Sequence, residues 1–126
     1  MPVWYTRFRA LENAKDAKER ADRLMAAAQR TETYSPASIA SMLCDATTLF
    51  GDVVTHMQKA AANSPQAEAA DAAEAVKVAE AEAAMAAAVA AAMAAAVAAA
   101  AMLMPLLLRL RGDYNAVVAM PMPLLQ

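Results

Sequence analysis

Two side chains in this sequence could do chemistry on their own: His56, its single histidine, and Cys44, its single cysteine. Asp52 precedes His56 by one helical turn, and a carboxylate at that spacing can orient an imidazole. An imidazole so held could ligate a porphyrin iron or act as a general base. His56 is therefore the candidate cofactor-binding residue. The plainer reading is a boundary histidine beside a helical carboxylate, because no further motif converges on it. Cys44 and His56 would form a nucleophile–base pair only if adjacent. On one helix their twelve-residue separation is roughly 18 Å along the axis, which excludes the pair. Cys44 then reads as a small buried residue. Ser35, Ser38 and Ser41 have no base within reach along the chain either. No catalytic residue is assigned, and the expectation is a protein without enzymatic activity.

Other signatures are weaker still. Cysteine and histidine together number two, too few for a structural zinc site built from those ligands. Arg111-Gly112-Asp113 spells a cell-adhesion tripeptide, but three residues match often by chance and Gly112 has a second reading as a helix C-cap. No apolar stretch follows Met1 as a secretory signal would require. No glycine-rich phosphate loop or nucleophile elbow is present. The net charge is −2 and the basic residues do not interleave with aromatics, so nucleic acid is not an expected partner. No cofactor is required by any motif.

These residues must be held by elements, and the composition says which kind. Of 126 residues, 38 are alanine, whereas Leu, Ile, Val and Phe number only 23. Alanine is the best helix former and loses no rotamer entropy. It also buries little area, at about 25 cal/mol per Å². Helices should form easily and pack weakly unless they approach closely. Two glycines and no β-branched runs argue against sheets. The expected fold is all-α, a single helical domain with three main helices near 3–31, 36–63 and 65–104, then a short piece near 106–111.

The first helix carries Trp4, Phe8, Leu11, Ala14, Ala17 or Ala21, Leu24, Met25 and Ala28 at three- and four-residue steps, one apolar stripe. Asp16–Arg20 and Glu19–Arg23 have favourable spacing for ion pairs on the opposite face. Ser35-Pro36 reads as an N-cap followed by proline at the first helical position. The second helix has Ile39, Met42, Leu43, Ala46, Leu49, Phe50, Val53, Val54, Met57 and Ala60 on one side. Ser41, Cys44, Thr48, Gly51 and Thr55 form a line of small residues opposite, where a second backbone could approach. Ser64-Pro65 repeats the cap-and-proline signal for the third helix.

That third helix begins acidic, with Glu68, Asp71, Glu74, Glu80 and Glu82 against Lys77. From Ala83 to Leu108 there are 26 residues without a charge, and MAAAVAAA occurs twice in tandem at 85–92 and 93–100. The large residues recur every fourth position. The alanines between them, Ala91 and Ala95 among them, are expected to meet another backbone closely, or lipid. The run exceeds the roughly 20 residues needed to cross a bilayer. Its Val and Leu residues together favour insertion by only about 2–3.6 kcal/mol, so spanning is marginal. Pro105 should kink or end the helix near Met104. Asn115–Gln126, with Pro121 and Pro123, is expected as an extended apolar arm.

The expected function is that of a non-catalytic structural or assembly subunit. It would pack against protein partners through the Ala/Met-rich helix and the C-terminal arm, and could be anchored in a membrane. The alternatives are a soluble helical bundle, natural or artificial, and a small-molecule or porphyrin-binding bundle using His56.

Overall fold

A computed structural model describes residues 2–118 of the chain, with side chains through Ala116. The protein is all-α. Helix α1 runs Val3–Ala28, α2 runs Pro36–Ala62, and α3 runs Ala69–Val118, preceded by a single 3-10 turn at Gln66–Glu68. No strand occurs among the described residues.

The chain divides into two compact units, residues 1–94 and 95–126. The first is a three-helix bundle whose core consists of three layers. The first holds Ala14, Ala17, Val53 and Ala79. The second holds Ala21, Ala46, Phe50 and Ala86. Ala28, Ile39, Leu43 and Ala90 form the third. Through these layers the α1 and α3 numbers rise while the α2 numbers fall. The bundle is therefore up-down-up, with α1 and this part of α3 parallel and α2 antiparallel to both.

Why these residues face inward differs by helix. The α2 stripe behaves as its sequence predicts: Ile39, Leu43, Ala46, Phe50, Val53 and Ala60 are buried. On α1 the buried residues are Ala10, Ala14, Ala17, Ala21 and Ala28. Their alternating three- and four-residue spacing is that of helices packed side by side at a shallow angle. Trp4 and Phe8, expected in the α1 stripe, are 69% and 52% exposed. An alanine seam lets two neighbouring backbones come close, and bulky rings on the same line would hold them apart. Met85 and Val89 on α3 are likewise exposed, while Ala86 and Ala90 beside them are buried.

The helix ends show both agreement and correction. Ser35 caps α2, its hydroxyl oxygen accepting from the Ser38 backbone N–H at 3.2 Å. Ser64 does not cap the helix after it; its hydroxyl donates to the Ala60 carbonyl, closing α2 instead. Pro105 does not end α3, which continues through it to Val118. Gly112 is no left-handed cap, since no glycine has positive φ. Of the expected extended arm, residues 115–118 are helical and 119–126 lie outside the described residues.

The ion pairs also differ from the expected i,i+4 set. Arg23 Nε donates to the Glu19 backbone carbonyl at 3.3 Å rather than to its carboxylate. Arg7 pairs with Glu68, and Lys18 with Glu82 at 3.6 Å. Both pairs tie α1 to the chain of α3 in the same order along each helix, consistent with their parallel run. Each is exposed enough to contribute no more than about 1 kcal/mol.

Candidate interaction surface

The residues singled out for chemistry do not converge. Helix α2 is unbroken from Pro36 to Ala62, so Cys44 and His56 remain about 18 Å apart along its axis. Cys44 is exposed, not buried as expected. His56 is half-buried and Asp52 exposed. Among the described residues no ion pair joins them. Asp52 instead borders an open groove between α1 and α2 with Arg20, Arg23, Asp45 and Thr48, and His56 is not part of it. No cluster of three or more metal-ligating side chains occurs among the described residues.

The small-residue line on α2 is solvent-facing. Ser41, Cys44, Thr48, Gly51 and Thr55 are all exposed, and a methyl group added at Gly51 would meet nothing within 4 Å. Thr48 and Thr55 turn their hydroxyls back to the Cys44 and Gly51 carbonyls, each at 3.2 Å. Among the described residues no second backbone approaches here. Arg111-Gly112-Asp113 lies within α3 rather than in a turn.

What the structure does assemble is an apolar surface on the second unit. Every residue from Ala98 to Ala116 is exposed. Met102, Leu103, Met104, Leu106, Leu107, Leu108, Leu110 and Tyr114 are each more than half exposed. At 100° per residue their side chains cover about two-thirds of the helix circumference. The remaining sector holds Ala101, Pro105, Gly112 and Arg109. An apolar patch of this extent is unusual on a monomer's surface, and a helix apolar on all sides is normally enclosed. Sequence reasoning located this run by its lack of charge. Ala91 and Ala95, expected to meet another backbone or lipid, are both exposed, and the alanines of this run that another helix of the bundle covers are Ala86 and Ala90.

By length and composition two helices could cross a membrane. In α2 28% of the most apolar window is buried in the bundle, and in α3 none of it is.

No protein-family model matches the chain, and no curated protein or solved structure was found to be similar to it. The class of protein is thus defined by the fold alone: an all-α chain with an alanine-seamed three-helix bundle and a long, apolar third helix.

Proposed function

We propose that this is a non-catalytic structural protein, in which the three-helix bundle is the folded body and the second half of α3 is the surface by which it is built into a larger assembly. One observation carries this reading: eight large apolar side chains from Met102 to Tyr114 lie more than half exposed on a helix that carries no charged residue between Glu82 and Arg109. Burying a side chain of this size is worth about 1.5–3 kcal/mol, so such a surface is strongly favoured to find cover. The roughly 18 Å between Cys44 and His56 along α2, with no ion pair between Asp52 and His56 among the described residues, supports the absence of catalysis in the proposal.

Light scattering coupled to chromatography tests it. In detergent-free buffer the chain should run as a multimer or require detergent to stay dispersed. The variant carrying Leu103→Glu and Leu107→Glu should run as a monomer. A wild-type chain that is a monodisperse monomer without detergent would refute the proposal.

A further inference from the structure

We infer that the surface on α3 is covered by the acyl chains of a lipid bilayer, and that residues 94–108 are the inserted segment. This rests on reading the exposed half of α3 as an attachment surface. A single partner helix would need one apolar face and would leave the others polar. Here Met102, Leu103, Met104, Leu106, Leu107 and Leu108 cover about two-thirds of the circumference, and uncharged Ala101 and Pro105 occupy the remainder, so a surrounding apolar phase fits better than a neighbouring seam.

The uncharged run of 26 residues is about 39 Å of helix. Setting aside the part up to Met93, which packs against the third core layer of the bundle, leaves 94–108. That is about 22 Å, a length that meets the roughly 30 Å of a hydrocarbon core by local thinning of the bilayer and snorkelling of the flanking residues. The run then stops on Arg109, Arg111 and Tyr114, all exposed. Arginines complement lipid phosphates and can snorkel towards them, and tyrosine favours the same interfacial depth. Basic and aromatic groups end the segment where headgroups would begin. Proline inside a helix, as at Pro105, is also better tolerated in a bilayer than in water.

Flotation of the full chain with phosphatidylcholine vesicles, with and without phosphatidylglycerol, tests this. The protein should float with both, more strongly with the anionic lipid, and should stay bound in high salt. On a Trp4→Phe background, Leu107→Trp should show blue-shifted emission quenched by bromine on the acyl chains. Introducing Leu103→Glu with Leu107→Glu should weaken binding by at least about 100-fold. A chain that stays unbound overturns the inference, as does unquenched emission from Leu107→Trp. If the unbound chain is a discrete oligomer, the cover is protein and the attachment reading stands. An unbound monomer ends both.

Discussion

At single positions, the structure turns on which residues are small. Ala21 and Ala46 are fully enclosed with Phe50 in the middle layer, where one methyl is all the space admits. Gly51, three residues before Val54 on the same helix, is the opposite case. It is exposed, and an added methyl group would meet nothing within 4 Å. Glycine in a helix interior costs about 0.5–1 kcal/mol relative to alanine. Gly51→Ala should therefore stabilise the bundle by about that amount in urea unfolding. A destabilised variant would mean that another backbone does press on this line. His56 and Cys44 belong to the same scale. Their types were visible in the sequence, and so was their separation along one helix. Whether His56 met Asp52 was not, because one-turn spacing permits a contact without requiring it.

Among the elements, α2 was the most legible from sequence, because its buried line is made of Ile39, Leu43, Phe50 and Val53, which stand out from their neighbours. The α1 seam was hidden for the reverse reason. Ala10, Ala14, Ala17, Ala21 and Ala28 have the right spacing, but alanine marks no face where alanine is common, and Trp4 and Phe8 drew the stripe away from it. On α3 the visible four-residue rhythm of Met and Val misled in the same way, since the buried line runs one residue further on, through Ala86 and Ala90. The helix starts depended on local chemistry. Ser35 holds the Ser38 N–H at 3.2 Å while Pro36 opens α2. Ser35→Ala should thus cost about 1 kcal/mol, read as a lowered thermal midpoint. Ser64→Ala should leave the start of α3 unaffected, because the Ser64 hydroxyl bonds backwards to Ala60.

For the molecule as a whole, we propose that α3 divides between two roles. Through Ala79, Ala86 and Ala90 it contributes to the layers of a folded bundle. From Ala98 to Ala116 every residue is exposed and available for attachment. Urea unfolding of the bundle in one micelle-containing buffer, with Ala86→Leu and Leu107→Glu beside the unaltered chain, tests this division most directly. Ala86→Leu overfills the middle layer and should cost about 1–3 kcal/mol. Leu107→Glu touches no core layer and should change the bundle's stability by no more than about 0.5 kcal/mol. Equal losses from the two substitutions would contradict the division, by placing Leu107 in the same packed core as Ala86.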